Sequence, residues 1–280
     1  MSKTIAVLGA GTMGAGITQV AATAGYEVRL YDLMQGLVDE GLGRIYTNLT
    51  KAVEKGKLTI DERAEILNRI DPLMDIDEVV TGAELVIEAV PERMAMKQQL
   101  AKRVTQANPA AVFASNTSSL SISQIATAAV DPSMVIGMHF FNPVHLMPLL
   151  EIVRGERTSD ATLALAQQVG ADMGREMIVV RDAPGFATSR LGLVIGLEAM
   201  RMFEQGVASA QDIDRAMELG YRHPMGPLKL TDLVGLDVRL AIAEHLHSEL
   251  GAAFEPPQVL RQMVADGKLG KKSGQGFYSW

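Results

Sequence analysis

The stretch that most constrains how this chain folds is Gly9-Ala10-Gly11-Thr12-Met13-Gly14, which stands directly after the apolar run Ile5-Ala6-Val7-Leu8. Four consecutive apolar residues suit a strand buried on both faces, as in a parallel sheet. Residues 15–24, small and apolar, are compatible with a helix ending at Gly25, and residues 27–30 read as a second strand closing on Asp32. Strand, G-x-G-x-x-G, helix, strand and acidic terminus in that order make the βαβ unit in which the motif has physical meaning. Gly9 permits the tight turn, Gly11 lets the backbone approach a pyrophosphate, and Gly14 lets the helix pack closely on the strand. The N–H groups at the helix start then hold the phosphates. Asp32 follows at about the expected 20-residue spacing and offers a carboxylate to an adenosine ribose. An anion there repels a 2′-phosphate, so NAD is expected rather than NADP.

The chain of 280 residues is long enough for two domains, and its 48% hydrophobic content for a sizeable core. A formal net charge of −7 argues against nucleic acid or an anionic membrane as a partner, since either needs a basic surface. With no cysteine, disulfides, thiolate metal sites and a catalytic thiol are excluded. No apolar run approaches the roughly 18 residues that span a bilayer. The first strand begins so early that no signal peptide is expected, which points to the cytoplasm.

Residues 35–57 have the spacing of a long helix and residues 61–70 that of a second, with Ile60, Ala64, Leu67 and Ile70 as its apolar face. Together they predict a helical hairpin inserted beside the sheet. Lys51 and Lys55 stand one turn apart and share a face, with Lys57 just beyond. They are either a solvated face or a phosphate-binding patch for the distal end of a bulky anionic substrate. Residues 85–90, an apolar run broken by Glu88, lead through Pro91-Glu92 into a helix carrying Met96, Leu100 and Val104. Residues 111–114 are the next strand, delivering Ser115-Asn116-Thr117-Ser118-Ser119 to the edge where open α/β sheets bind ligands. Ser118 or Ser119 could instead cap a helix over 121–129.

A strand over 134–138 delivers His139-Phe140-Phe141-Asn142-Pro143, a strand over 149–153 contains Glu151, a helix covers 162–173, and a last strand covers 178–180. After Pro184 the alternation stops, and helical patterns follow at 191–204, 210–218, 236–250 and 257–266. The sequence thus predicts an α/β domain over 1–183 and an all-helical domain over 184–280. Five methionines of the latter, Met200, Met202, Met217, Met225 and Met263, read as core or as an interface burying one face against a second copy.

Oxidising an alcohol with NAD⁺ needs a base for the hydroxyl proton, and a neutral imidazole suits that near pH 7. His139 stands at a strand terminus on the cofactor side. A histidine beside Phe140 and Phe141 can equally be a satisfied core residue, but Glu151 on the adjacent segment favours chemistry, because a carboxylate on one ring nitrogen fixes the tautomer. Ser118 would then hydrogen-bond the substrate oxygen and Asn142 support the cofactor or the carbonyl. No group of His, Asp and Glu has metal-ligand spacing, so no metal is expected.

The runs Asn116-Thr117-Ser118-Ser119-Leu120 and His139-Phe140-Phe141-Asn142-Pro143, then Glu151, Pro184-Gly185-Phe186 with Arg190, and the closing residues 270–278 resemble the 3-hydroxyacyl-CoA dehydrogenases, most of all the stand-alone bacterial 3-hydroxybutyryl-CoA dehydrogenases. The resemblance implies a Rossmann-like NAD-binding domain, a helical domain that forms a homodimer, and reversible oxidation of an L-3-hydroxyacyl-CoA to the 3-ketoacyl-CoA. It also implies His139 as catalytic base, Glu151 as its partner and Ser118 as a contact of substrate and nicotinamide. Glu92, Lys97, Asn142 and Lys272 match NAD contacts of the family, while Asn48 and Lys55 match CoA contacts, in keeping with the Lys51–Lys55 face. Ser189 stands where the family commonly has asparagine; being shorter, it would act through a water or yield its part to another group. His145 stands where the family often has proline. A dehydrogenase of a free 3-hydroxy acid, such as a sugar acid, and an NAD-binding protein without catalysis are the alternatives.

Overall fold

The computed structural model describes residues 3–280. Contacts divide the chain into two units, one ending at Ala183 and the other beginning at Pro184. The first holds strands β1 (Thr4–Leu8), β2 (Glu27–Tyr31), β3 (Ile70–Pro72), β4 (Leu85–Glu88), β5 (Val112–Ser115), β6 (Val135–Phe140), β7 (Leu149–Arg154) and β8 (Glu176–Arg181). Its helices are α1 (Thr12–Thr23), α2 (Gln35–Glu54), α3 (Ile60–Asn68), α4 (Ile76–Val80), α5 (Met94–Ala107), α6 (Ile122–Ala126) and α7 (Asp160–Asp172).

The strands form one sheet in the order β3-β2-β1-β4-β5-β6-β7-β8. β1 to β6 pair in parallel, β7 runs antiparallel to β6, and β8 parallel to β7. Ile5 to Leu8 are at most 1% exposed, as an apolar run in the middle of a parallel sheet requires. The chain leaves β1 for β2 on one side and returns to β4 on the other, so the carboxyl ends of β1 and β4 flank a topological switch point, where such sheets bind ligands.

Three departures from the sequence reading have identifiable causes. The hydroxyl of Thr59 accepts from the backbone of Glu62 while the Glu62 carboxylate accepts from the Thr59 N–H, and this capping box starts α3 at Ile60. That phase buries Ile66, not the expected face: Ile60 is 64% exposed and Ala64 is also exposed. Ile70 instead opens β3, an edge strand too short for alternation to reveal, whose Pro72 is tolerated at the sheet margin. Finally, Ser121, not Ser118 or Ser119, caps α6, its hydroxyl accepting from the Gln124 N–H.

The second unit holds α8 (Thr188–Glu204), α9 (Ala210–Arg215), α10 (Pro227–Val234), α11 (Leu236–Leu250) and α12 (Gln258–Ala265). The sequence reading placed no helix between 218 and 236 and so missed α10; Pro227 sits in its first turn, where the absent N–H costs nothing. Asp214 meets that start, accepting from Leu228 N and Lys229 N at 2.8 and 2.9 Å. Leu193, Leu197, Met200, Leu246 and Leu260 centre the helical core.

In the first unit, Tyr26 is buried behind α1 and its hydroxyl donates to Asp172 at the end of α7 at 2.5 Å. Burial, and then that carboxylate, push the tyrosine pKa up, while hydrogen bonds from Tyr26 and then Gln168 hold Asp172 below the usual carboxylate range. A raised phenol stabilises at and below its ordinary value and loses that contribution as pH rises past it. A lowered carboxylate stabilises above its ordinary value and loses that contribution as pH falls. Tyr26→Phe should therefore lower the unfolding free energy by about 1–2 kcal/mol at neutral pH, with the deficit fading as acid protonates Asp172. Urea denaturation at several pH values reads this directly; a deficit independent of pH would contradict it.

Candidate active site

The glycine motif sits at the switch point. Gly9 has φ +104, and a Cβ there would lie 2.8 Å from the Ala89 carbonyl oxygen. A Cβ on Gly14 would lie 1.7 Å from the Gly9 carbonyl oxygen, so α1 crosses the β1 turn at a distance only glycine allows. A Cβ on Gly11 would meet nothing within 4 Å. Gly11 is also the N-cap of α1 and brings no side-chain hydrogen bond to the first turn, whose N–H groups therefore face the space above the motif. Asp32 lies just past β2, its two carboxylate oxygens accepting from Ala10 N and Leu33 N, each at 2.7 Å. That fixes the carboxylate at the lip of the cradle with lone pairs left for a ribose. Backbone room at Gly11, an uncapped helix start and a fixed acidic lip fit a dinucleotide. Ala10 is buried beneath the turn, whereas Thr12 is exposed and Met13 half-buried.

The parallel run of β1, β4, β5 and β6 carries the segments after β4, β5 and β6 to this same sheet edge. Within β6, rather than past its end as the sequence suggested, His139 is the register partner of Glu151 on β7. Its Nδ1 lies 2.9 Å from Glu151 Oε2, with His139 only 7% exposed and Glu151 fully buried. An ionised carboxylate only accepts, so Nδ1 carries the proton and the ring's lone pair is on Nε2. Phe141 packs on the imidazole with ring centroids 4.4 Å apart.

The loop after β5 is held from below by buried charge. Glu88, at the end of β4, accepts from Lys97 Nζ at 2.8 and 3.0 Å and from the Ser115 hydroxyl, all three side chains being buried. Lys97 also reaches Glu92 Oε2 at 3.4 Å. The other Glu92 oxygen accepts from Thr117 Oγ1 at 2.5 Å and from Ser118 N at 3.0 Å. Ser118 is half-buried above this chain of groups, its hydroxyl 3.3 Å from Glu92. Lys97 and Glu92, expected from the resemblance as cofactor contacts, are thus engaged in shaping the Asn116–Ser119 loop, and Lys97, with no exposed surface, offers no direct contact in this arrangement. The sequence reading named residues 115–119 as a cluster at the sheet edge and Glu88 as a break in an apolar run, but gave Glu88, Ser115, Asn116 and Thr117 no role of their own. Asn116 Oδ1 accepts from Phe140 N at 2.9 Å and ties the loop to β6.

Asn142 lines a cleft of 640 Å³ with Thr12, Arg44, Asn48 and His145, adjoining a second of 620 Å³ that shares Asn48 and His145. Lys51, Lys55, Lys57 and Arg175 all line the second, so the lysine face borders a concavity and is not merely solvated. Asn48 Nδ2 donates to Gln19 at 3.2 Å, and burial pushes the His145 pKa down. In the helical unit, Ser189 is half-buried in the first turn of α8 and Lys272 Nζ donates to Asp237 at 2.6 Å. Among the described residues no group of His, Asp and Glu could hold a metal.

Gly11→Ala separates cradle from fold. With an extended backbone and open space at this position, it should leave thermal stability within about 0.5 kcal/mol of the parent while weakening NAD binding by roughly tenfold or more, for a methyl placed against the pyrophosphate. Calorimetric titration with NAD⁺ beside a thermal melt checks both, and undiminished affinity would contradict the placement.

The family model for the 3-hydroxyacyl-CoA dehydrogenase NAD binding domain matches residues 4–183, and that for the 3-hydroxyacyl-CoA dehydrogenase C-terminal domain matches residues 185–280. A probable 3-hydroxybutyryl-CoA dehydrogenase of Bacillus subtilis is 44% identical over 99% of this chain and 97% of its own length. A 3-hydroxybutyryl-CoA dehydrogenase of Mycobacterium tuberculosis is 40% identical over 99% and 98%. The crystal structure of (S)-3-hydroxybutyryl-CoA dehydrogenase from Ralstonia eutropha, 37% identical, superposes with a TM-score of 0.96 over 100% of this chain and 99% of that one. With both of its units matched and such relatives along its full length, this chain belongs to the 3-hydroxyacyl-CoA dehydrogenase family.

Proposed function

We propose that this chain catalyses the NAD-dependent, reversible oxidation of an (S)-3-hydroxyacyl-CoA, with 3-hydroxybutanoyl-CoA as the short-chain case, to the 3-ketoacyl-CoA. The observation that carries this reading is the 2.9 Å contact between His139 and Glu151 on the sheet edge that also bears the glycine cradle. Residues 9–14 and Asp32 hold the dinucleotide, and Asn142 and Lys272 complete its contacts. NAD⁺ supplies a hydride acceptor when bound.

His139 Nε2 takes the 3-hydroxyl proton, and the buried Glu151 stabilises the imidazolium that results. In the reverse direction the imidazolium returns the proton to the developing alkoxide. Ser118, in a loop fixed through Glu92, Lys97 and Glu88, donates to the substrate oxygen and orients it toward His139. Asn48, Lys51 and Lys55 receive the CoA phosphates along the second concavity, and Ser189 contributes to the acyl side. Residues 1–183 thereby form the NAD-binding domain and residues 184–280 a substrate and dimerisation domain. Exposed apolar residues on the helical unit, among them Leu233, Val234 and Val238 at 41 to 45%, support assembly as a homodimer. No helix among the described residues is long and apolar enough to cross a membrane; the reading places the enzyme in the cytoplasm, in short-chain fatty acid or butanoate metabolism.

His139→Ala should lower kcat by about 10²- to 10⁴-fold, the usual worth of a positioned base, with NAD affinity nearly intact. NADH absorbance with acetoacetyl-CoA reads the rate, and unchanged turnover would overturn the assignment. Lys55→Ala should raise KM for acetoacetyl-CoA roughly 3- to 10-fold through a lost charge-assisted contact. An unaltered KM would point to a free 3-hydroxy acid instead.

A further inference from the structure

The second concavity of the first unit is walled by four cations, Lys51, Lys55, Lys57 and Arg175, and by one carboxylate, Asp172. Both oxygens of Asp172 are taken, one by the Tyr26 hydroxyl and the other by Gln168 Nε2. None of the four cations enters an ion pair among the described residues. Such a surplus of positive charge favours a ligand with more than one negative charge, as the nucleotide phosphates of a CoA thioester provide.

Arg175 differs from the three lysines in what else it holds. It stands half-buried between α7 and β8. Its Nε donates to the Met173 carbonyl at 2.9 Å, and its Nη1 to the carbonyls of Val144 and Met147 at 3.0 and 2.7 Å. Those bonds occupy Nε and Nη1 and leave the N–H groups of Nη2 for a ligand in the concavity. Val144 and Met147 belong to the turn between β6 and β7, in which Leu146 N and Met147 N both donate to the Pro143 carbonyl. The turn is pinned from the other side by Val144, 2% exposed, whose Cβ would lie 2.8 Å from a Cβ built on Gly16 of α1. The same turn continues directly from Phe141, which packs on the His139 imidazole, and from Asn142, which lines the first cleft. One guanidinium therefore joins the anion-receiving wall to the segment that packs on the base. A lysine ammonium, a compact point charge without the planar fork, cannot make that connection.

Resting on the dehydrogenase reading above, we infer that Arg175 is a positioning residue linking the two ends of the substrate. The nucleotide phosphates draw on the same guanidinium that fixes the turn after Phe141 and Asn142, so they raise kcat as well as affinity. Binding energy from a remote part of the substrate is in this way spent at the reacting centre. The test follows NADH oxidation with acetoacetyl-CoA and with acetoacetyl-pantetheine, which has the same reacting end and no phosphate. The wild-type kcat should be roughly tenfold or more higher with the CoA thioester, and adenosine 3′,5′-bisphosphate added beside the pantetheine thioester should recover part of the gap. The bisphosphate should also slow hydrogen exchange at the Leu146 and Met147 amides. In Arg175→Lys, which keeps the charge but loses the grip on the carbonyls, the two kcat values should converge while KM for acetoacetyl-CoA stays within about threefold of wild type. Arg175→Met should bring the same convergence and raise that KM roughly tenfold. Wild-type kcat values that agree, with the probes differing in KM alone, overturn this inference and leave the dehydrogenase reading standing. Exchange at the turn that ignores the bisphosphate overturns it too, and neither result needs a variant. Turnover of neither probe overturns both readings. A kcat gap that persists in folded Arg175→Lys and Arg175→Met overturns the inference by assigning the link to another residue.

Discussion

The antiparallel pairing of β7 on β6 is the constraint on which the site depends. In a sheet otherwise built of parallel neighbours, that reversal puts residues 139 and 151 directly opposite each other, and the backbone ladder, not side-chain flexibility, sets their separation. A slip of β7 by one residue would turn Glu151 to the other face of the sheet and leave His139 without its carboxylate. Because both are buried, the hydrogen bond between Nδ1 and the carboxylate forms where water competes little, and an uncompensated partner there is costly. The orientation of the imidazole is thus a by-product of sheet register.

Around this pair the structure uses glycine and buried charge for separate purposes. Gly14 against the Gly9 carbonyl draws α1 so close to β1 that its first turn overhangs the switch point. The Glu88–Lys97–Glu92 chain gives the loop carrying Ser118 a rigid underside, linking β4, β5 and α5 through charge-assisted hydrogen bonds instead of apolar packing. A buried ion pair is weak evidence for added stability; its value here is that Thr117 and Ser118 have defined acceptors and the loop one conformation. Rigid support of that kind holds a reacting oxygen within reach of a base.

Much of this was legible in the sequence because the relevant signals are local. The glycine motif declares its strand and helix within about 30 residues, and the change from alternating elements to helices alone marks the region of Pro184. His139 and Glu151 stood out as residue types on consecutive segments, although only the ladder supplies their direct opposition. What escaped depended on contacts distant in sequence or on short elements. β3 has three residues and no alternation, and α3 takes its phase from the Thr59 box rather than from the apolar pattern that had favoured Ile60. Glu88 read as an interruption of a strand because the ammonium that justifies it lies on a helix nine residues further on.

The central claim is that Glu151 holds the His139 imidazole as the Nδ1–H tautomer, with the lone pair on Nε2 ready for a proton. Nitrogen-15 NMR of the histidine-labelled protein, with the His139 signals assigned by comparison with His139→Ala, observes that arrangement directly. The account predicts a proton on Nδ1 and a non-protonated Nε2 at neutral pH, with the tautomer preference lost in Glu151→Leu. A proton fixed on Nε2 in the wild-type protein, or a tautomer indifferent to residue 151, would contradict it.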